Sequence, residues 1–393
     1  MTALERAREV IDEVIDIRRD IHAHPELSMQ EQRTTQLVAD KLTEMGIENH
    51  RIGETGVLGI LHGSQPGKVI ALRADMDALP LNEQADVPFK SQNPGVMHAY
   101  GHDAHTAMLL GAAKVLSGMR NQLKGTVKFI FQPGEEVAKG AKHMIAGGVL
   151  ENPHVDMIMG IHLTMEQPAG KVIAREGPCQ AGADLWDLEI NGKTCHGSTP
   201  WYGEDAIVCA AAVINGLQTI VSRKNDARSP LVLNIGTIKG GERFNNTPGH
   251  VEMQGNNRSF SRESREKLPQ WMENVIKGCC DAYHCTYKFN YTQLCSPTIN
   301  DPGVTKFVVN SITKFIDPAN VVDTEIIMGS EDFSEYQALV PGMFLRIGVR
   351  NEEKNCIYPG HSDHYCIDED GLLTGVACHV QVVSDFLAQV QMC

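Results

Sequence analysis

Short β-type runs alternate with amphipathic helical segments through the first 160 residues, and this alternation constrains the fold of the chain more than any other feature. The predicted strands lie at 57–61, 69–74, 126–131 and 157–161, and the predicted helices at 4–21, 29–45, 104–116 and 140–146. Ser28 and Glu31 have the spacing of a capping box, which is expected to start the second helix. Strands that alternate with helices favour a parallel sheet. The sequence therefore predicts an α/β fold with a doubly wound, largely parallel sheet.

The pattern changes near Ala183 and returns near Asn300. Between these points the order is strand, helix, strand, strand, helix, strand, with predicted elements at 185–190, 206–221, 231–238, 251–258, 265–283 and 286–294. This order is that of a ferredoxin-like α+β domain. A helix at 303–315, a strand at 344–349 and a helix at 371–390 then resume the first pattern. We therefore expect a catalytic domain of residues 1–182 and 296–393 with a lid or dimerisation domain, 183–295, inserted into it.

Composition and charge exclude several classes of partner. The 35 basic and 49 acidic side chains give a net charge of -14, which disfavours nucleic acids and anionic membranes. The longest apolar run, 206–214, is too short to cross a bilayer, and the charged N-terminus does not resemble a secretory signal. The eleven cysteines are scattered without a paired framework, so we expect reduced thiols and a cytoplasmic location.

Metal-type donors follow successive predicted strands. Asp75 and Asp77 come after the second strand, the adjacent pair Glu135 and Glu136 after the third, and His162 after the fourth. The carboxyl ends of parallel strands share one edge of a sheet, where ligands bind. Two further imidazoles, His102 and His105, stand where a helix begins. Solvated surface charge explains most carboxylates taken singly, but this placement predicts a metal centre.

Longer motifs carry a resemblance to a known family. They include Gly-His-Asp-Ala-His-Thr at 101–106 and Phe-Gln-Pro-Gly-Glu-Glu at 131–136. Further matching segments are 18–26, 72–80, 160–162, 196–200, 329–333 and the pair His361 and Glu369. In this order, over nearly the whole chain, they resemble the M20 metallopeptidase family. The similarity is to its amidohydrolase branch of aminoacylases, hippurate hydrolases and auxin-conjugate hydrolases.

The resemblance implies roles for individual residues. The metal ligands it implies are His102, Glu136, His162 and His361, and it makes Glu135 the general base. His196 matches a lid histidine that reaches the active site of a partner subunit in a homodimer or higher homo-oligomer, and Asn245 and Arg258 match residues that hold the substrate carboxylate. Asp77 is expected to orient a ligand, and we assign His105 a supporting role beside the ligands.

One position departs from the family pattern. The branch usually has a cysteine ligand before Gly-His-Asp-Ala-His, whereas this chain has Tyr100 there. Three outcomes remain open: a single-metal site, a phenolate ligand, or a hydroxyl that faces the substrate. A fourth is a thiolate from Cys356 or Cys366, which flank His361. Loss of the usual cysteine favours manganese or zinc, with one or two ions per chain.

The function that the resemblance implies is hydrolysis of the amide C–N bond of a small N-acyl amino acid or related conjugate. Metal-activated water would attack the carbonyl, with Glu135 as general base. The first alternative is a hydrolytic deaminase, or another hydrolase of non-peptide C–N bonds, with a single-metal site. The second is an inactive homologue that acts as a binding protein.

Overall fold

A computed structural model describes residues 1–389 and divides the chain into two compact units. Unit 1 comprises residues 1–177, 299–325 and 335 onward, and unit 2 comprises residues 178–298 and 326–334. The expected domain boundaries were 183 and 295. Unit 2 thus includes a short segment, 326–334, that lies far from the rest of it in sequence.

Nine α-helices and sixteen strands are formed by the described residues. The helices are α1 (Ala3–Ala23), α2 (Gln32–Glu44), α3 (His102–Gly118), α4 (Gly140–Ala146), α5 (Ala206–Arg223), α6 (Arg262–Ala282), α7 (Pro302–Ile312), α8 (Ser334–Gln337) and α9 (Asp370–Ala388). The strands are β1 (Glu48–Ile52), β2 (Gly56–His62), β3 (Gln65–Asp75), β4 (Lys124–Gln132), β5 (Met157–Pro168), β6 (Val172–Ile173), β7 (Gly177–Gln180), β8 (Gly182–Asn191), β9 (Cys195–His196), β10 (Leu231–Gly240), β11 (Asn246–Thr247), β12 (His250–Ser259), β13 (Thr286–Cys295), β14 (Thr298–Asn300), β15 (Val321–Val322) and β16 (Gly342–Arg350).

Unit 1 is built on a sheet of eight strands in the order β1-β2-β4-β3-β5-β16-β6-β15. Its centre is parallel, since β3 pairs with both β4 and β5, and β5 pairs in the same direction with β16. The strands at this centre are buried nearly continuously, as expected for a parallel sheet covered by helices. The α/β fold with a largely parallel sheet is thereby confirmed.

Helix α3 is the central helix of unit 1. It packs against both α1 and α9, and its side chains are buried on nearly every face. The sequence permits this because the helix beyond its first turn consists mainly of Ala, Leu, Met and Gly, with few polar groups that would need water. The core therefore fixes the direction of α3, and with it the position of the histidines in its first turn.

Unit 2 contains an antiparallel sheet in the order β10-β12-β8-β13, with the element order β8-α5-β10-β12-α6-β13. This is the ferredoxin-like arrangement. Trp186 on β8 is the largest fully buried side chain and packs in a cluster with residues of α5 and α6. A buried ion pair joins Arg265 on α6 to Asp184 on β8 at 2.8 Å, and the Tyr291 hydroxyl donates to the same carboxylate.

The predicted capping box at the start of α2 is wrong. The helix begins at Gln32 without a side-chain cap, and Met29 has a φ of +63°, which no helical residue adopts. The Ser28 hydroxyl donates instead to Asp77 Oδ2 at 2.6 Å, because tertiary contacts compete for the same polar group. A true capping box, which the sequence analysis missed, starts α1 with Thr2 and Glu5.

Two other element boundaries differ from expectation. Strand β5 continues to Pro168, so His162 lies within it and does not follow its end. The last helix, predicted to reach Val390, ends at Ala388, and Val390 lies outside the described residues.

Helices α5 and α9 are long and apolar enough to cross a membrane by length and composition alone. The uninterrupted apolar run stops at Ile214, but α5 continues to Arg223. The length of the run is therefore shorter than the length of the helix that contains it. Both helices contribute side chains to hydrophobic cores, as core helices of folded domains do. Their length is therefore weak support for a membrane role.

Candidate metal centre

The candidate site of unit 1 lies where parallel strand β3 ends. The register of β3 and β5 pairs Arg73 with Gly160, which places His162 at the level of Asp75, the last residue of β3. Helix α3 begins nearby, with His102 in its first turn and Gly101 as the preceding residue. Gly101 has a φ of +92°, a conformation that favours glycine, so the chain can turn sharply into the helix at this point. Sheet register and helix start thus bring separate segments to one edge.

His102 has the geometry of a metal ligand. Its Nδ1 donates to Asp77 Oδ1 at 3.2 Å, which leaves Nε2 as the nitrogen that can face an ion in place of a proton. That nitrogen is buried and has no hydrogen-bond partner among the described residues. Nε2 lies 3.8 Å from Asp75 Oδ2 and 4.0 Å from Glu136 Oε1. A buried nitrogen without a partner is costly unless a ligand binds it, so this atom is the strongest single indication of an ion.

The electrostatics of the site favour positive charge. Burial alone would lower the pKa of His102, but the negative charge of Asp75 and the hydrogen bond that His102 donates to Asp77 raise that pKa to about 10. Asp77 itself has a lowered pKa despite burial, because His102 and Ser28 bond to its ionised form. The carboxylates therefore stabilise a cation beside His102, which is the requirement for a divalent ion.

His105 lies one turn further along α3 but is bonded differently. Its Nδ1 bonds to Asp75 Oδ1 at 2.6 Å, and its Nε2 accepts the backbone N–H of Leu163 at 2.9 Å. Although its ligand atom lies within 4.8 Å of those of His102 and His162, neither ring nitrogen has a lone pair to spare for an ion. The histidine instead connects the end of β3 to the backbone of β5.

His162 and His361 present the other imidazoles of the cluster. His162 Nδ1 donates to its neighbour's carbonyl, Leu163 O, at 2.6 Å, so its Nε2 carries the lone pair. His361 Nε2 lies 3.7 Å from Glu136 Oε1, and its backbone has a φ of +65°. A positive φ at a histidine is uncommon and costs energy. The backbone N–H of His361 donates to Ala99 O at 2.8 Å, which holds this conformation.

Glu135 and Glu136 lie in the turn between β4 and α4. One ligand atom from each of His102, Glu135 and Glu136 lies within 4.8 Å of the others. The Glu136 backbone N–H donates to Asp77 Oδ2 at 3.0 Å, so Asp77 orients both His102 and this turn. Adjacent acids on one turn can serve two functions, one as ligand and one as proton acceptor.

Tyr100 lies among the imidazoles. Its ring centroid is 4.6 Å from that of His162 and 4.6 Å from that of His361, both in edge-to-face geometry. On another side, Gly360 lies so close that a Cβ there would overlap the ring of Tyr100. The phenol is therefore packed between two candidate ligands.

Three supporting contacts were not anticipated from the sequence. Ser28 donates to Asp77, Arg73 Nη1 contacts Asp75 Oδ2 at 2.6 Å, and Glu31 Oε1 accepts the backbone N–H of Gly134 at 2.8 Å. Burial, with the nearby charge of Asp77, raises the pKa of Glu31 to about 7. The resemblance places Ser28 and Glu31 just beyond one matching segment, but only the fold shows that they touch the site.

The other predicted site residues belong to unit 2. His196 on β9 is exposed, and its Nδ1 accepts from the Ser198 hydroxyl at 2.7 Å. Asn245 lies beside it, since its carbonyl accepts the backbone N–H of Gly197 at 2.7 Å. Its side-chain oxygen is buried and has no hydrogen-bond partner among the described residues. Arg258 on β12 donates to the Ser330 hydroxyl at 3.0 Å.

Cys356 and Cys366 do not join the candidate metal ligands. Within the described chain, no cysteine belongs to the groups of convergent ligand atoms. The two sulfurs instead contact each other at 3.3 Å. A thiolate from this loop is therefore not placed among the convergent ligand atoms.

The donor set of unit 1 fits a divalent ion. It offers imidazole nitrogens whose other nitrogen is hydrogen-bonded, a carboxylate held by its own backbone, and an environment that favours positive charge. Such outer contacts fix the tautomer and direction of ligands in metalloproteins. Imidazole and carboxylate donors suit zinc and manganese.

Comparison with known proteins shows what kind of protein this chain resembles. The chain is 41% identical over 384 residues to "Thermostable carboxypeptidase 2" of Saccharolobus solfataricus, covering 96% of each chain. It is 45% identical over 294 residues to "N-acyl-L-amino acid amidohydrolase" of Geobacillus stearothermophilus, covering 74% of this chain and 79% of the relative. A Bacillus subtilis crystal structure, described as a dinuclear metal binding peptidase from the M20 family, matches with a TM-score of 0.83 and 33% identity over 98% of this chain and 99% of that one.

The family match itself is broad. The pattern of peptidase family M20/M25/M40 covers residues 71–385, which include every candidate ligand and both segments of unit 2. Together with relatives at about two-fifths identity over most of its length, this match shows that the chain is a hydrolase belonging to peptidase family M20/M25/M40.

Proposed function

We propose that this hydrolase is an amidohydrolase that cleaves the amide C–N bond of a small N-acyl amino acid or related conjugate, with Glu135 as general base. The observation that carries the proposal is the buried Nε2 of His102, which has no hydrogen-bond partner among the described residues and lies 4.0 Å from Glu136 Oε1. One ligand atom of Glu135 belongs to the same group, within 4.8 Å of those of His102 and Glu136. A hydrolase needs a place for an activated water beside an acceptor for its proton, and these groups provide one.

The family depends on divalent metal ions, and the residues we assign to the ion are His102, Glu136, His162 and His361. A zinc or manganese ion held there would act as a Lewis acid that polarises the scissile carbonyl and lowers the pKa of water. Asp77 positions two of these ligands at once, through His102 Nδ1 and the backbone N–H of Glu136. Ligand directions are therefore set before any ion binds.

Glu135 is the residue that we assign to proton transfer. It is buried and lies beside Glu136 in the β4–α4 turn, so one carboxylate can bind the ion while the other takes up a proton. As base it would remove a proton from the attacking water, and as acid it would give that proton to the departing nitrogen. A single carboxylate can perform both steps because it is regenerated after each turnover.

Recognition of the substrate is assigned to unit 2. We propose that Arg258 and Asn245 bind the carboxylate of the amino-acid part, and that His196 polarises the scissile carbonyl. The unpartnered, buried Oδ1 of Asn245 and the exposed ring of His196 are consistent with groups that await a ligand. The proposal includes a homodimer or higher homo-oligomer in which His196 acts on a partner subunit, and a cytoplasmic location.

The names of the relatives define the substrates to test. One is described as a carboxypeptidase and another as an N-acyl-L-amino acid amidohydrolase. Both names imply an amide bond whose amine part carries a free carboxylate. We therefore expect N-acetyl and N-benzoyl amino acids to be turned over, and their methyl esters at the carboxylate to be poor substrates.

The experiment is a release assay of free amino acid by the purified full-length protein. Turnover should disappear after chelation, return with zinc or manganese, and remain strongly reduced in Glu135→Gln even with metal added. Absence of turnover on every N-acyl amino acid, with metal bound, would refute the amide assignment. Release of ammonia from aryl amines under the same conditions would establish the deaminase alternative. The observation that favours this alternative is the position of Tyr100 beside His162 and His361.

A further inference from the structure

Cys356 and Cys366 form a close thiol pair in the loop between β16 and α9. Their sulfur atoms are 3.3 Å apart, whereas a disulfide bond requires about 2.0 Å, so the sulfurs would have to approach each other by roughly 1.3 Å. Cys356 is buried and Cys366 is partly exposed. Neither sulfur takes part in the proposed hydrolysis. The pair is therefore a reactive feature that the hydrolase function does not explain.

The backbone on each side of the pair is already held together. Cys356 and Asn351 exchange two backbone hydrogen bonds, of 2.8 and 2.9 Å. The Asn351 side chain donates to Asp368 Oδ2 at 2.6 Å, and Lys354 Nζ contacts Asp368 Oδ1 at 2.6 Å. Asp368 lies two residues after Cys366. These contacts hold the two ends of the loop beside each other.

The segment enclosed by the two cysteines carries His361 at its centre, five residues from each. His361 is held by its left-handed backbone conformation and by the hydrogen bond from its N–H to Ala99 O. A bond between the cysteines would close this eleven-residue loop and restrict the conformations in which the imidazole can be presented. Closure of a loop reduces the freedom of the chain within it.

The two thiols differ in reactivity in the way that exchange requires. The hydrogen bond between the two thiols lowers the pKa of Cys366 to about 7, while the same contact and burial raise the pKa of Cys356. Cys366 is also the more exposed of the two. It is therefore the thiol that attacks an external oxidant, and Cys356 is the one that resolves the product.

We propose that Cys356 and Cys366 form a reversible disulfide, made by exchange with a low-molecular-weight disulfide such as glutathione disulfide, and that this bond fixes the loop carrying His361. The Cys366 thiolate attacks one sulfur of glutathione disulfide; a mixed disulfide forms, the original S–S bond breaks and one glutathione thiolate leaves. The Cys356 thiol then loses its proton and attacks the Cys366 sulfur, and the second glutathione thiolate leaves. The protein dithiol is oxidised by two electrons, and one glutathione disulfide is reduced to two glutathione molecules.

A second cysteine pair in unit 2 provides an internal comparison. Cys209 and Cys280 have sulfurs 3.8 Å apart, and both are almost fully buried. Burial raises the pKa of both thiols, that of Cys209 to about 12. Proximity alone thus exists in both pairs, but only the pair in unit 1 combines it with an accessible thiol of lowered pKa. We expect exchange in the first pair and none in the second.

The linkage can be read directly by peptide mapping. Full-length protein is equilibrated with graded ratios of oxidised and reduced glutathione, alkylated, and cleaved with trypsin and an enzyme that cuts before aspartate. Cleavage after Lys354 and before Asp363 and Asp368 separates peptide 355–362, with Cys356, from peptide 363–367, with Cys366. The expected result is one disulfide-linked species of these two peptides, reversed by excess reduced glutathione. Only glutathionylated Cys366 without the link, or an equally abundant Cys209–Cys280 link, would overturn the proposal.

The effect on His361 is tested by metal binding. The disulfide stands independently, but this consequence rests on the proposed role of His361 as a ligand. Titration of the metal-free protein with zinc should show about tenfold tighter binding after oxidation, the size seen when groups that orient a ligand are changed. Cys356→Ser and Cys209→Ser are the matched variants, of which only the first should lose the oxidation effect. An unchanged or weaker affinity in a protein shown to be cross-linked would overturn the coupling and leave the hydrolase assignment intact.

Discussion

The carboxylate-rich edge of unit 1 and the β9–β11 region of unit 2 carry residues assigned to one reaction, but they are organised in opposite ways. In unit 1, His102 and Asp77 are each 1% exposed, and each is hydrogen-bonded within the unit. In unit 2, His196 is exposed, and nearby Phe244 and Trp201 are 98% and 70% exposed. The first region is organised by its own packing, whereas the second leaves polar and apolar groups open to a ligand or partner. Metal binding and substrate recognition should therefore separate experimentally.

The largest expected effect on activity is that of Glu135→Gln, which tests the buried region of unit 1. Removal of the base is expected to lower kcat by about 10²- to 10⁴-fold, since general-base catalysis contributes that much. Metal content should stay unchanged, because the ligands that we assign are other residues. The checks are steady-state kinetics and elemental analysis beside the exposed control Glu54→Gln. Full activity in Glu135→Gln would remove this residue from the mechanism.

His196→Ala tests the exposed region. We expect kcat to fall by about 10²- to 10³-fold, as it does when a group that stabilises an oxyanion is removed. The melting temperature and bound metal should not change, because the side chain is exposed and its Nδ1 is hydrogen-bonded to Ser198, only two residues away. Mixing this variant with Glu135→Gln offers a further readout. If the histidine acts on a partner subunit, the mixed dimers recover activity that neither parent has.

A pair of variants on α3 separates ligand from support within unit 1. His102→Asn should weaken metal affinity by about a hundredfold or more, since loss of a ligand costs at least as much as loss of a group that orients it. His105→Gln should leave affinity within tenfold, roughly the lower end of that range, and should lower the free energy of unfolding by about 1–3 kcal/mol, because Asp75 or the Leu163 N–H loses its partner. Calorimetric metal titration and chemical denaturation measure both effects. Equal metal affinities in the two variants would contradict the assignment.

The smallest expected change is in the number of ions bound. Tyr100→Cys introduces a thiol donor beside the candidate ligands, as the family resemblance led us to expect at this position, so we expect uptake of a second equivalent of metal by elemental analysis. Tyr202→Cys places a thiol on the exposed part of unit 2 and should bind no additional ion. Two equivalents already present in the natural protein would show that the phenol does not prevent the second site.

Much of the architecture could be predicted from the sequence because periodicity reports burial. The alternation of strands and helices predicted the parallel sheet, and the switch near Ala183 predicted the ferredoxin-like order. The extent of β5 could not be predicted, because its apolar run stops at Ile161 while its pairing with β16 continues through polar residues to Pro168. The pattern of apolar residues indicates which residues are buried, but the hydrogen bonds between two strands can continue beyond the buried residues.

The sequence indicated candidate members of the site more readily than the hydrogen bonds that connect them. The residue types and strand positions of Glu136 and His162 were visible in the sequence. The bonding of His105 depended on the Leu163 N–H, a backbone group that no sequence pattern marks. Ser28 was misassigned because a serine before a helical pattern usually caps it, whereas here a buried carboxylate competes more strongly. Partners that are distant in sequence decide which of two chemically identical side chains can bind an ion.

The close approach of Gly360 to the ring of Tyr100 makes the two positions interdependent. A chain with tyrosine at position 100 needs glycine at position 360, because even one added methyl group would occupy the volume of the ring. Exchange of Tyr100 for a small residue removes that constraint and leaves a space that Gly360→Ala could partly fill. The pair should therefore change together among related chains, and Gly360→Ala, harmful alone, should become tolerated in the background of Tyr100→Cys.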